Sequence, residues 1–241
     1  MPLLGNAALL LSFGIAPQAV SEHDDWHSHE HLPERLSIPG FIRGSRWVSQ
    51  YGAPRYLVMY EVEDLATLSS QAYLDRLNQP SPWTSQLMPH YQGMRRGLCA
   101  VTGSSGSRLG ASCLLLRFAP AQGAEPALRH WLCAEALPAL CARPGLVSAH
   151  LFESGPPAVM TQEQSIRGAD AGFCWAPLVT AYRPAALAQL EGADSFSDQL
   201  AQRGALDLLG AAYQLMALLG RDEVDTGLAR RTPAQPGVEV T

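Results

Sequence analysis

Sliding the chain along itself by 105 positions lays Gly5-Asn-Ala-Ala-Leu-Leu-Leu-Ser-Phe13 onto Gly110-Ala-Ser-Cys-Leu-Leu-Leu-Arg-Phe118. The register continues without a gap. Trp26 falls on Trp131, Glu30 on Glu135, Leu32-Pro33 on Leu137-Pro138 and Pro39-Gly40 on Pro144-Gly145. Across residues 5–47 against 110–152, 13 of 43 positions are identical. A ladder of Trp, Glu, Leu-Pro and Pro-Gly at one offset implies that 241 residues hold two copies of one unit of about 100 residues, a usual domain size. It also bears on the apolar run at residues 7–16. That run lacks a preceding positive segment, is too short to span a bilayer and has a partner within the chain, so it reads as a first strand and not a secretory leader.

Each copy presents elements in the same order. An apolar strand (6–15, 111–119) precedes a helix (21–36, 125–141). A Pro-Gly turn opens a second strand (Phe41–Tyr51, Leu146–Ser154), and a third follows (Tyr56–Val62, Phe173–Tyr182). A second helical region comes next (71–77 with 83–91, then 185–203), and a last strand closes the unit (Gly97–Thr102, Tyr213–Leu219). This is an α+β chain of two tandem ferredoxin-like βαββαβ units. One such unit leaves a sheet face uncovered, so the two are expected to pack sheet to sheet as a pseudo-dimeric α/β barrel. The expected boundaries are 1–104, 105–220 and a polar tail over 221–241. Ser21 with Asp24 resembles a capping box, Pro33 and Pro138 are expected to interrupt their helices, and Gly103-Ser-Ser-Gly-Ser107 reads as a flexible linker. Copy two carries a longer loop over about 155–171.

The segment Trp26-x3-Glu30-His31-x-Pro33-x5-Pro39-Gly40-Phe41 resembles the signature of the dimeric α/β-barrel superfamily and is similar to its EthD-like branch. The resemblance covers copy one in sequence and copy two in architecture. It implies the barrel fold and a role for His31, at the position of the motif histidine. The superfamily spans cyclases, lactone isomerases, cofactor-free monooxygenases and haem enzymes, so the fold leaves the chemistry open.

The differences between the copies locate the candidate site. Where copy two has Leu128, Leu132 and Ala136, copy one has His23, His27 and His31, spaced by four residues along one helix face. Copy one also has Arg46 for Leu151 and Arg43 for Ser148, and carries Tyr60, Tyr73, Trp83, His90 and Tyr91. His31, with Glu30 and Glu34 as candidate orienting carboxylates, forms an acid–base set. A neutral imidazole exchanges protons near pH 7, and a neighbouring carboxylate fixes its tautomer. Trp26, His27, Arg46, Tyr60 and Trp83 are candidate substrate contacts, with Arg46 able to hold an anionic or enolate oxygen. His23 and His29 are expected at the surface.

The leading expectation is a cofactor-independent isomerase, cyclase, dehydratase or monooxygenase acting on a small molecule, with no cofactor required. The alternatives are a binding protein for a hydrophobic or aromatic ligand, and a divalent metal held by His27 and His31 at i, i+4. Composition narrows the field further. The net charge of −5 argues against nucleic acid. All 17 cations are arginine, which excludes Schiff-base chemistry and a lysine-bearing phosphate loop. Five dispersed cysteines without CxxC spacing fit a reduced cytoplasmic protein with no structural metal. Ser104 and Ser105 lack acid–base neighbours in sequence. No membrane partner is expected, and a homodimer is left open.

Overall fold

The structure is a computed structural model that describes residues 3–49, 52–155, 160–190 and 194–225. Eight antiparallel strands close a barrel in the order β1-β3-β2-β8-β5-β7-β6-β4. The strands are β1 (Ala7–Ile15), β2 (Phe41–Ser49), β3 (Tyr56–Val62), β4 (Tyr91–Gly106), β5 (Ser112–Pro120), β6 (Leu146–Ser154), β7 (Trp175–Ala181) and β8 (Ala205–Gly220). Helices α1 (Val20–Trp26) and α2 (Leu32–Leu36), α3 (Gln71–Asn78) and α4 (Pro82–Leu87) belong to the first half. Helices α5 (Glu125–Trp131), α6 (Leu137–Cys141), α7 (Gln162–Arg167) and α8 (Phe196–Gln202) belong to the second, before a short α9 (Arg221–Asp225). This is the dimeric α/β-barrel fold contained in a single chain.

Three apolar cores follow from strand alternation. Ala8, Leu10, Trp47, Leu57, Met59, Cys99, Cys113, Leu115, Phe152, Leu178 and Tyr213 fill the lumen, drawn from nearly every strand. Leu9, Phe13, Val58 and Tyr60 point outward against Trp26, Leu32 and Leu36 of the first helix layer. Leu114, Leu116, Phe118 and Val179 meet Leu128, Leu132 and Leu137 in the second. With both faces covered, β1 and β5 are largely apolar, interrupted by Ser12 in one and by Ser112 and Arg117 in the other.

The two longest strands explain where the sequence reading falls short. β4 pairs with β1 over 91–100 and then with β6 over 99–106, while β8 pairs with β5 over 205–214 and with β2 over 213–220. The Gly103–Ser107 segment expected as a linker is therefore mostly strand, running to Gly106 and bonded across the halves. Glycine and serine are poor strand formers in isolation. Here the unpaired edge of β6 supplies the hydrogen bonds that override propensity.

The first helix also departs from expectation. It begins with a 3-10 turn at Pro17–Ala19, so Ser21 lies within the helix and caps nothing. Pro33 does not interrupt it. A π turn at His27–His31, closed by the Leu32 N–H on the His27 carbonyl, carries the helix through the proline to Leu36. The same π turn recurs at Leu132–Ala136 ahead of Pro138. The wider turn absorbs the missing donor and the ring of the proline. Gly40 and Gly145 take φ of +86° and +85° in the two Pro-Gly turns, where a side chain would be strained. Of the expected C-terminal tail, 226–241 lies outside the described residues.

Candidate functional site

The π turn holds the imidazoles of the first helix in a buried column. His23 is 0% exposed, His27 1% and His31 7%, whereas His29, between them, is exposed. The surface position expected for His23 is thus overturned. Its ring packs among Phe13, Tyr56 and Tyr91, with Nδ1 3.4 Å from Asp24 Oδ1 and Nε2 3.3 Å from the Tyr91 hydroxyl. Trp26 is fully buried and tilts over His31 with ring centroids 4.3 Å apart. His27 Nε2 lies 3.4 Å from the Tyr60 hydroxyl. Nδ1 of His27 and Nδ1 of His31 are buried without a hydrogen-bond partner among the described residues.

Those two imidazoles line a narrow cavity of about 30 Å³. Leu9, Phe13, Val58 and Met94 supply its apolar wall, and Tyr60, Tyr73 and Tyr91 its aromatic one. One water needs about 10–15 Å³, so the space beside the rings holds a water or two in this conformation. Burial drives both histidines well below their ordinary pKa, and the positive charge of nearby arginines adds to it: Arg46 for His27, Arg35 for His31. Both rings are neutral at pH 7. Burial raises the pKa of Tyr60 and of Tyr91, so both phenols keep their protons.

Part of this cavity comes from the second half. Helix α7 packs against α3 and the turn at Met88–His90 of the first half. Glu163 on α7 forms a buried ion pair with Arg35, both side chains 3% exposed or less. Thr161, Gln164 and Arg167 also line the cavity. Arg167 is held by Asp170 through Nε at 3.0 Å and Nη2 at 2.6 Å, and Gln164 Nε2 donates to the same carboxylate at 2.7 Å. Arg96 donates to the Tyr73 hydroxyl at 3.1 Å. On the outer side, Arg96 and Gln164 also border a larger surface pocket of about 460 Å³ beside Met160 and Phe173. That volume lies within the range of small-molecule sites, ~300–1,000 Å³.

The remaining expected site residues lie elsewhere. Glu30 accepts hydrogen bonds from Trp26 Nε1 at 3.2 Å, from Ser81 and from Thr84, which ties the helix to α4. Glu34 binds Arg76 at 3.0 Å and lies 3.7 Å from Arg35. Neither carboxylate hydrogen-bonds to His31. Arg46 donates to the Asp24 carbonyl and to Ser28 Oγ, both at 3.0 Å, so it anchors α1 to β2. Trp83 donates to Glu22 at 3.2 Å on the outer side of the helices. Of the expected residues, the cavity brings together His27, His31 and Tyr60, with Trp26 stacked behind.

Sequence reasoning missed Arg35, Glu163, Gln164 and Arg167. The one available signal was the extra loop of copy two, whose destination no local pattern encodes. It also missed a pair across the β4–β6 seam, where Ser104 Oγ lies 2.9 Å from His150 Nδ1. Ser104 thus has the acid–base neighbour it lacked in sequence. Burial pushes His150 down to about 3, and no described group bonds its Nε2. Among the described residues, no three His, Cys, Asp or Glu side chains are grouped to hold a metal ion. No described helix is long and apolar enough to cross a membrane.

No protein-family model matches the chain, and no curated protein sequence matches it significantly. Solved structures do. An anthrone oxidase-like protein aligns with a TM-score of 0.62 at 10% identity, over 93% of this chain and 97% of that one. A candidate monooxygenase from Fusobacterium nucleatum subsp. nucleatum aligns at 0.58 and 9% identity, over 90% and 96%. Another, from Lactobacillus acidophilus, aligns at 0.57 and 8%, over 89% and 96%. At such identities the likeness establishes the shared dimeric α/β-barrel fold, end to end, and leaves the chemistry to the site.

Proposed function

We propose that the first half carries the active site of a cofactor-independent small-molecule enzyme, in which His31 and His27 take a proton from an enolisable or phenolic substrate. The observation that carries this reading is the pair of neutral, buried imidazoles with unpartnered Nδ1 atoms in one cavity with Arg35 and Arg96. A neutral imidazole is the form that accepts a proton. The anion left on the substrate is favoured in a dry site by guanidinium groups, and by its attraction to the imidazolium that forms beside it. Glu163, from the other half, holds Arg35 in place beside the histidines. The substrate lies in the outer pocket and reaches the histidines when Gln164 and Arg96 part. Isomerisation, cyclisation and dehydration all begin with such a step, and so does the deprotonation of an anthrone-like molecule. The two halves are read as copies of one unit, the second filled with aliphatic groups at the same positions.

The test is solvent deuterium exchange at the acidic C–H of anthrone or a related aryl ketone, followed by NMR. The wild-type chain is expected to accelerate exchange, and His31→Ala to lower the acceleration by about 10²–10⁴-fold with the fold unchanged by circular dichroism. An unchanged rate in that variant overturns the role of His31. Saturable binding without exchange favours the second reading, a binding protein that uses the same apolar and aromatic cavity. A metal at His27 and His31 would have two described protein ligands, so elemental analysis of untagged protein is expected to show none at stoichiometric level.

A further inference from the structure

The cavity at the mouth of the barrel is separate from the histidine site, and its charges are unbalanced. It measures about 230 Å³ and is walled by Phe118, Ala119, Phe173 and Leu209, with Arg95 and Arg117 facing it. Arg117 extends from β5 at a position otherwise given to lumen-facing side chains and is only 8% exposed. Its Nη1 donates to Ser12 Oγ at 3.0 Å. Ser12 is its counterpart at the 105-residue offset, so the two equivalent positions meet across the barrel, one a hydroxyl and the other a cation. A guanidinium carries five donors, and this single bond uses one. Among the described residues neither Arg117 nor Arg95 has an ion-pair partner. Every other arginine buried to this degree has one: Arg35 has Glu163, and Arg46 has Asp24. Burial lowers the pKa of Arg117, and the positive charge of Arg95 acts in the same direction. Asp207 also borders the cavity, as an exposed rim residue.

We propose that the barrel mouth binds a small organic carboxylate, its two oxygens held by Arg117 and Arg95 and its aryl or short alkyl tail packed between Phe118 and Phe173. Two cations facing one cavity with no carboxylate paired to either are costly until an anion completes them. Planar guanidinium and carboxylate groups match as paired hydrogen bonds. The apolar wall selects for an organic tail, because a fully hydrated inorganic anion would leave those rings uncovered. The site is independent of the proposed chemistry. Arg95 and Arg96 are consecutive on β4 and face opposite ways, Arg96 to the histidine cavity and Arg95 to the barrel mouth.

The experiment titrates the full chain with benzoate, benzyl alcohol, inorganic phosphate and chloride at matched ionic strength, by calorimetry and thermal shift. Benzoate is expected to bind saturably and raise the melting temperature, as a ligand of the folded state must. Benzyl alcohol is expected to have no effect, and phosphate to bind at least tenfold more weakly than benzoate. Arg117→Gln and Arg95→Gln are each expected to weaken benzoate at least tenfold. Arg117→Gln is also expected to unfold no earlier than wild type without ligand, since it removes an uncompensated cation. No benzoate binding by the wild type, undiminished binding in the variants, or phosphate binding as tightly as benzoate overturns the proposal. Should Arg117→Gln fail to fold, Arg95→Gln, at a less buried position, decides the question alone.

Discussion

The same helix occurs twice in this barrel and does two different things. In both halves it runs through a π turn into a proline and buries three side chains four residues apart. In the first half these are His23, His27 and His31, at 0%, 1% and 7% exposure. In the second they are Leu128, Leu132 and Ala136, at 1%, 0% and 8%. Geometry and burial are matched and chemistry is not. The π turn therefore serves the proline, since it appears where no polar group could use it. The imidazoles are what distinguishes the first half. Leaving a buried polar atom unpaired costs about 1–3 kcal/mol, whereas an aliphatic group at that position adds favourable burial. A half that bears this cost twice, at His27 Nδ1 and His31 Nδ1, has a cavity edged by imidazoles where its counterpart has aliphatic core.

The contrast is tested most severely at the ion pairs. Glu163→Gln strands Arg35 in the interior and is expected to cost about 3–5 kcal/mol in urea unfolding. A loss below ~1 kcal/mol would mean that α7 does not hold the first half closed. Leu132→His places an imidazole in the second half's aliphatic core and is expected to cost about 2–4 kcal/mol. His27→Leu, the reverse exchange, is expected to change stability by no more than ~1 kcal/mol while impairing deuterium exchange. Equal costs for the two would show that the halves do not differ in what the position demands.

Acid provides a third test. The folded-state pKa values of His23, His27 and His31 are all depressed by burial. Between those values and about 6.5, the unfolded chain binds protons that the folded chain refuses. These groups leave stability unaffected above pH 6.5 and lower it as pH falls below, by up to ~1.4 kcal/mol per pH unit for each group. The His27→Leu/His31→Leu double variant is expected to show a shallower loss between pH 6.5 and 5 in paired urea titrations. An unchanged slope would mean that the rings are not buried as neutral groups. The smallest effect is expected at Glu153, which holds Arg129 through two 2.7 Å bonds in the second half. Arg129 is 42% exposed, so Glu153→Gln is expected to cost only about 0.2–1 kcal/mol.

Local pattern was enough for the architecture wherever local physics governs it. The apolar runs at 7–15 and 112–120, the Pro-Gly turns and the helix between them follow from alternation, periodicity and backbone freedom. The shared face of His23, His27 and His31 was legible because a four-residue spacing survives a π turn, but the burial of His23, expected at the surface, was not. Pairings that join distant segments were hidden. Gly103–Gly106 becomes strand because β6 is there to bond it. Glu30 faces Ser81 and Thr84 and not His31, because α4 packs on that side. Ser104 meets His150 only across a seam between the halves.

By itself, the sequence determined the α+β order of strands and helices, the expectation of a closed barrel, and which helix bears imidazole where the helix 105 residues on bears aliphatic groups. These follow from periodicity and from the need to bury one face of each sheet. Only the tertiary structure decided that α7 brings Glu163 against Arg35 at the first half's cavity. It alone revealed that Ser12 and Arg117, 105 residues apart, meet at the barrel mouth. Contacts between segments so far apart in sequence are selected by how whole sheets and helices pack, and that information is not held in any one stretch of the chain.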